Sequence, residues 1–338
     1  MVAMTIFSDD AFRTMELTEA LNETEYVPQF LDSLGIFEEE SITGRDFGVE
    51  RVGQSLNLIP TSALGAPPRQ TERDPRKITT FKTTRLADAF TLFAFEIEGI
   101  RDDGPDGGLL NTLTEFDKRN RVILDNMDLT KEFHRLGALQ GKLLDADGTT
   151  VIYDYFSELG VAEPAAVDFG LNDETTNVRQ VCTDIKRQMT RGSKGAITSG
   201  TQIHSLAGDE FFDTLVNHAS VSETYKARQG EQLRENMAFE TFYYGGIFFH
   251  NYRGTDDNSS VAIASDEVKV FPVGANGVFK KVTSPAEFGP WVNTYGEDRY
   301  GLMVEDRDRQ AWVKGEVYSY PLFLCAKPYC LRSGVLAS

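Results

Sequence analysis

The chain has little of what enzymes, membrane proteins and secreted scaffolds are usually built from. Among its 338 residues there are three cysteines, four histidines and two tryptophans. Cys182, Cys325 and Cys330 are an odd number without paired metal-ligand spacing, so neither a disulfide framework nor a zinc site is expected, and they read as reduced core or edge residues. His134, His204, His218 and His250 stand apart in sequence, with no His-x-x-x-His pair and no adjacent cysteine. Apolar runs are short. Phe90–Phe95 and Ile247–Phe249 fall well under the roughly 18 residues of a membrane helix, so no membrane partner is expected. The opening residues lack a basic start followed by an apolar core, so no secretory signal is expected either.

Positive charge is scarce as well. Thirty-four Lys and Arg face 52 Asp and Glu, a net charge of −18. Sequence-tolerant binding to nucleic acid needs a basic stripe that displaces counterions from phosphates, and this balance argues against one. The 41% hydrophobic content is that of an ordinary folded protein with room for two or three domains.

The charge is also unevenly placed. Residues 1–40 carry ten acids against the single base Arg13, and their apolar residues are too sparse for an independent core. This opening segment reads as an acidic arm whose Phe12, Met15, Leu31 and Phe37 anchor it onto something else. Residues 43–60 read as extended, and a breaker-rich tip follows at Ala63–Pro68. From residue 69 to 85 six bases, Arg69, Arg73, Arg76, Lys77, Lys82 and Arg85, face only Glu72 and Asp74. Extended chain resumes over 78–97. Eighteen extended residues reach about 60 Å at roughly 3.3 Å each. A long two-stranded excursion is unstable alone in water, so this one calls for a neighbouring molecule, and the six bases are the candidate inter-subunit contacts.

Behind the loop at Arg101–Gly108, Thr112 and Glu115 have capping-box spacing, and apolar spacing predicts a helix. With a phase slip near Asp128–Thr130, the run to Leu143 is either one helix of about 50 Å or two with a kink. Gly137 and Gly141 within it point to close backbone approach or to a fraying end. Asp147-Gly148 marks a hairpin turn. Helices are predicted over 178–189 and 209–225, an alternating aromatic strand over 240–252, and strands around Val270, over 278–282 and over 313–324. The class is α+β with a β-rich second half.

Candidate chemistry is thin. Asp145-Ala-Asp147-Gly148 lacks the spacing of a calcium loop and reads as a hairpin turn. Asp102, Asp103 and Asp106 could hold a divalent ion or form a solvated acidic turn. Gly192-Ser-Lys194-Gly195 is not a phosphate-binding loop, because glycine follows its lysine. The aromatics Phe239–Tyr252 are not interleaved with bases, so a packed sheet face is the stronger reading than nucleobase stacking. No catalytic residue, metal ligand or cofactor is called for.

Several separated motifs point to one family. They are Phe242-Tyr243-Tyr244-Gly245-Gly246-Ile247, Tyr252-Arg253-Gly254, Phe271-Pro272-Val273-Gly274, Pro285-Ala286-Glu287 and Pro321-Leu322 with Cys325 and Pro328. Earlier come Arg135-Leu-Gly137-Ala-Leu-Gln-Gly141, Leu144-Asp-Ala-Asp-Gly148 and Ile152-Tyr-Asp-Tyr-Phe156. In order and spacing the chain resembles the lambda-type major capsid protein E family of tailed bacteriophages. The resemblance implies the Hong Kong 97-type capsid fold: an N-terminal arm at 1–40, an extended E-loop at 41–90, a peripheral domain with a spine helix at 91–195 and 311–338, and an axial domain at 196–310. It implies a non-enzymatic shell protein of the virion, assembled in the host cytoplasm into pentamers and hexamers around double-stranded DNA. Partners implied are further copies of the chain, a separate scaffolding protein, a portal and a decoration protein. A cargo-holding nanocompartment shell of the same fold and, far behind, an acidic-site hydrolase are the alternatives.

Overall fold

A single long helix sets the frame. The structure, a computed structural model, describes residues 30–52, 76–98, 107–222, 241–252, 262–309 and 311–336. The helical segments are α1 (Phe30–Ser33), α2 (Ala94–Glu98), α3 (Gly107–Gln140), α4 (Tyr155–Glu158), α5 (Val178–Gly192) and α6 (Asp209–Asn217). The first eight strands are β1 (Glu38–Ser41), β2 (Asp46–Val52), β3 (Arg76–Lys82), β4 (Leu86–Phe93), β5 (Lys142–Leu144), β6 (Val151–Asp154), β7 (Val167–Asp168) and β8 (Gln202–Ala207). The rest are β9 (Thr241–Tyr244), β10 (Ile247–Asn251), β11 (Glu267–Val273), β12 (Phe279–Thr283), β13 (Tyr300–Glu305), β14 (Trp312–Ser319), β15 (Pro321–Cys325) and β16 (Arg332–Val335).

At 34 residues α3 is about 50 Å long and runs unbroken through the phase slip. Its second half is buried on nearly every side, which is why no single apolar stripe persists there. The helix starts at Gly107, ahead of the expected cap at Thr112. It ends as the glycines require. A Cβ on Gly137 would sit 2.6 Å from the Lys142 carbonyl oxygen, so the returning strand can pass only over hydrogen. Gly141 takes the left-handed φ of +83° that reverses the chain after a helix, and a side chain there would strike Phe156. Asp147-Gly148 then turns the β5–β6 hairpin as expected.

Three larger sheets surround this helix. β1–β12–β15 packs on the buried half of α3 through Phe279, Val282, Leu322, Phe323 and Leu324. The six-stranded sheet β7–β16–β11–β8–β10–β9 has its own core with α5 and α6, formed by Val178, Cys182, Ile185, Met189, Phe211 and Phe249. It takes β7 and β16 from either side of the 196–310 stretch. β13–β14–β4 covers the earlier turns of α3 at Ile123, Leu124 and Met127, with Phe90 set edge-on to Phe116.

Some elements depart from their sequence-based boundaries. The 240–252 run is two strands, not one: Gly245 and Gly246, at φ +58° and +88°, make a two-residue turn that pairs Ile247 with Tyr244. Gly245 also lies so close to Cys182 on α5 that a Cβ would be 2.5 Å from it. The helix expected over 209–225 is broken at His218, which is extended at ψ 137°, and helix resumes over residues 219–222, beyond which the chain lies outside the described residues. Chain read as extended to Ile97 becomes helical at Ala94.

The buried half of α3 carries charge, and every charge has a partner. Arg299 reaches Asp128 at 2.6 Å with both side chains under a tenth exposed, and Lys131 reaches Asp298 at 2.6 Å. Glu132 accepts the Leu31 backbone N–H at 2.9 Å, and Arg135 pairs with Asp32 and lies over the Phe323 ring. Removing one member of such a pair strands the other in a low-dielectric interior. Arg299→Met should therefore cost about 3–5 kcal/mol in urea denaturation of the unassembled chain, while Asp128→Leu combined with Arg299→Met should recover most of that loss.

Candidate assembly interface

The candidate contact surface is the β2–β3 hairpin. Its seven register pairs run from Asp46 opposite Lys82 at the body to Val52 opposite Arg76 at the far end. Only the body end is secured. Phe47 and Phe81 are buried, Phe81 packs edge-on against Tyr153 and Tyr155, and the Lys82 backbone N–H donates to the Tyr153 hydroxyl at 2.9 Å. Below the strands Thr84 N–H donates to the Pro321 carbonyl at 3.0 Å, and the Thr83 and Ser284 hydroxyls share a 2.8 Å hydrogen bond. Farther out the ribbon is open: Ile78 is 65% exposed, and Phe81 is the only buried side chain of β3.

The six sequence-selected bases divide by position. Arg69 and Arg73 lie outside the described residues. Arg76, Lys77 and Lys82 are exposed along β3, with Arg76 bonded to Glu50 across the ribbon at 3.1 Å. Arg85 sits at the root. It pairs with Glu287 at 3.0 Å and lies over the Tyr318 ring, while Arg45 from the other side of the root reaches the same Glu287 at 3.4 Å and lies over Tyr320. Glu287 thus clamps both legs of the hairpin, a role that sequence spacing 200 residues away does not reveal.

The described end of the acidic arm is already docked within its own chain. β1 runs parallel to β12, placing Glu39 and Glu40 beside Lys281 and Lys280, with ion pairs of 2.9 and 2.8 Å. Glu38 accepts the Gly277 N–H at 2.7 Å, and Leu31 is fully buried. The anchors expected of this segment therefore find their seat partly on the chain itself. Residues 1–29 lie outside the described residues.

The candidate chemical groups resolve differently. Asp147 spends its carboxylate on the turn, accepting from the Thr149 and Thr150 N–H groups and the Thr150 hydroxyl, which holds its pKa well below the usual carboxylate range. Asp102, Asp103 and Asp106 fall outside the described residues. The three cysteines are buried and unpaired, and burial lifts Cys182 to about 12 and Cys330 to about 11, where thiolate chemistry is suppressed. The histidines are not all isolated. Parallel pairing of β8 with β10 sets His204 Nδ1 2.9 Å from His250 Nε2, and Phe30 of the arm packs its ring against His250. Residues 46 apart in sequence meet here only through the strand register.

With this geometry in place, the relatives can be compared. The family described as phage major capsid protein E matches residues 13–336. The chain belongs to that family. A "Major capsid protein" of Salmonella phage Felix O1 is 26% identical over 359 residues, covering 93% of this chain and 94% of the relative. A "Major capsid protein" of Pseudomonas phage KPP10 is 27% identical, covering 87% and 89%. The fold is matched by the crystal structure of a putative capsid protein of prophage from E. coli CFT073, with a TM-score of 0.58, 14% identity and 96% and 99% of the two chains aligned. This capsid protein E chain thus has the Hong Kong 97-type architecture, an α+β fold.

Buried neutral histidines make the stability of this capsid protein acid-sensitive. Burial holds His134 and His250 down to about 4, and it also lowers His204. The unfolded chain takes up these protons below an ordinary value of 6.5, whereas the folded chain does not until about 4. Stability present above pH 6.5 is therefore lost as pH falls towards 4, on the order of 3 kcal/mol for each deeply buried ring. Burial opposes ionisation of Asp298, but Lys131, Lys281 and Arg299 outweigh it and keep that carboxylate well below its ordinary 3.8, adding a further loss at lower pH. Asp128 and Glu132, raised by burial, lean the other way. The comparison with a variant isolates the ring. Among the described residues His134 Nδ1 has no hydrogen-bond partner, so His134→Leu should hold stability at pH 7 and flatten the decline between pH 6.5 and 4 in denaturant titrations.

Proposed function

We infer that this chain is the major capsid protein of a phage head, and that copies of it join into pentamers and hexamers of an icosahedral shell around double-stranded DNA. One observation carries the mechanism: a two-stranded ribbon rooted by Phe47, Phe81 and the Arg45–Glu287–Arg85 clamp, with its outer strand surface open to solvent. An isolated ribbon of this kind is at best marginal in water, so its outer part is stabilised by lying on another copy. Rings closed by head-to-tail contacts repeat one such contact around every capsomer, and many weak contacts sum to a stable shell.

In this reading 1–40 is the arm, 41–90 the loop, 91–195 with 311–338 the peripheral part and 196–310 the axial part. The bases from Arg69 to Lys82 set short-range register against acidic surface on the next copy, while apolar contacts such as Ile78 supply most of the affinity. The chain acts through these surfaces rather than as an enzyme. A separate scaffolding protein, a portal and a decoration protein complete the head, assembled in the host cytoplasm. The net charge of −18 suits a wall along which packaged DNA slides without adhering.

The test is electron microscopy of particles formed with the neighbouring head genes. Closed shells or ring-shaped capsomers are expected from the wild type. Arg73→Glu, Arg76→Glu and Lys77→Glu together should impair assembly while shifting the unfolding free energy of the unassembled chain by under about 1 kcal/mol, because the Arg76–Glu50 pair they remove is exposed. Normal shells from that triple variant would sink the charge-register idea, and discrete monomers from the wild type with scaffold present would sink the shell.

A further inference from the structure

A cleft of about 580 Å³ opens between the hairpin and the body, and its charge is the reverse of the chain's. Lys77 comes from β3, Lys194 from the turn after α5, Lys280 from β12 and Lys327 from the segment after β15. Among the described residues the single acid in the wall is Glu50, and Arg76 already takes up its charge at 3.1 Å. Lys280 is likewise spent on Glu40. Three ammonium groups are left over. Lys327 Nζ donates to the neutral Asn276 carbonyl, and among the described residues Lys77 and Lys194 have no carboxylate within ion-pair distance. In a chain with 52 acids, gathering cations from four elements without matching carboxylates leaves them repelling one another.

Lys194 adds a second sign. It is one of two non-glycine residues among those described that adopt a left-handed backbone, at φ +48°. A lysine held there costs backbone energy that glycine would not, and such conformations gather at binding sites. Phe47, Leu159 and Tyr329 add apolar surface to the same lining, with the Lys280 ammonium over the Phe47 ring at 5.3 Å. The volume lies in the usual range of small-molecule sites.

We propose that this cleft binds a compact multivalent anion of the di- or triphosphate class, held by Lys77, Lys194 and Lys327. Lysine ammonium groups serve phosphate as mobile point charges, and three of them match the charge of a polyphosphate better than that of a monovalent ion. Because Lys77 belongs to the hairpin and the other two to the body, the bound anion ties the hairpin to the body and fixes its attitude before it meets another copy.

The test uses the full-length unassembled chain at constant ionic strength. Inorganic triphosphate should bind with saturation at one site per chain in calorimetry and, at about 100 times its Kd, raise the melting temperature by several degrees. Lys194→Gln with Lys327→Gln should weaken binding by about tenfold or more, whereas Lys118→Gln with Lys186→Gln, exposed lysines away from the cleft, should not. Trypsin cleavage after Arg76 and Lys77 should slow when triphosphate is present. Tighter binding of a nucleoside triphosphate than of inorganic triphosphate would support the site and assign the apolar surface to the base. Absence of saturable binding, equal binding by both double variants, or binding of a peptide of residues 9–25 in place of triphosphate would each overturn the proposal. Shell formation is read separately, so failure here leaves the capsid assignment standing.

Discussion

The buried stretch of α3 from Asp128 to Arg135 is the constraint on which the rest of the molecule depends. An entirely apolar face would accept several rotations and slides against β12 and β15 at similar free energy. Four charged side chains in two turns remove that freedom, because each loses several kcal/mol if it is buried without its partner. The partners come from different places. Asp298 and Arg299 belong to the loop before β13, and Asp32 and the Leu31 N–H belong to the arm. One helix position therefore settles where the arm enters and where the β13–β14–β4 sheet begins. Asp298 extends the same network to Lys281 on β12, which in turn holds Glu39 of β1.

The hairpin shows the opposite principle. Its root is over-determined, with two buried phenylalanines, a backbone hydrogen bond to Tyr153 and a carboxylate shared by two arginines. Its outer half has almost no burial, and the cross-strand ladder alone is worth little in water. A chain that invests in a rigid root and leaves the shaft open is specifying a direction, not an independent unit. The six-stranded sheet needs no such help, because α5 and α6 cover its core residues within the same chain.

What was legible in the sequence follows from how local each cause is. The helix at α3, the Asp147-Gly148 turn and the tight backbone approach at Gly137 are written in neighbouring residues, and they stand in the structure, whereas Gly141 makes room for the Phe156 ring instead. The Gly245-Gly246 turn was equally local, but the surrounding aromatics alternate so regularly that they read as a single strand. Glu287 as a clamp, the His204–His250 contact and the four-lysine cleft depend on strand register and on chain returning from 40 to 280 residues away, so no window of sequence contains them. The anchoring role of the arm was legible in its sparse apolar residues. That part of its seat lies on its own chain was not, because Lys280 and Lys281 become its neighbours only through the parallel pairing of β1 with β12.

That pairing narrows what can hold two copies together. Attraction between a basic hairpin and an acidic partner requires carboxylates that are not already committed. Asp32, Glu38, Glu39 and Glu40 are committed within the chain, to Arg135, the Gly277 N–H, Lys281 and Lys280. Breaking those contacts to serve a neighbour would exchange one ion pair for another and gain nothing over the isolated chain. If the arm meets a hairpin, it must therefore do so through the acids between Asp9 and Glu25, which precede the docked segment. Otherwise a complement to the hairpin would have to be found among exposed carboxylates of the body. Charge can order the encounter in either case, but screening confines it to short range, so the strength of the contact has to come from the apolar surface that the hairpin leaves uncovered.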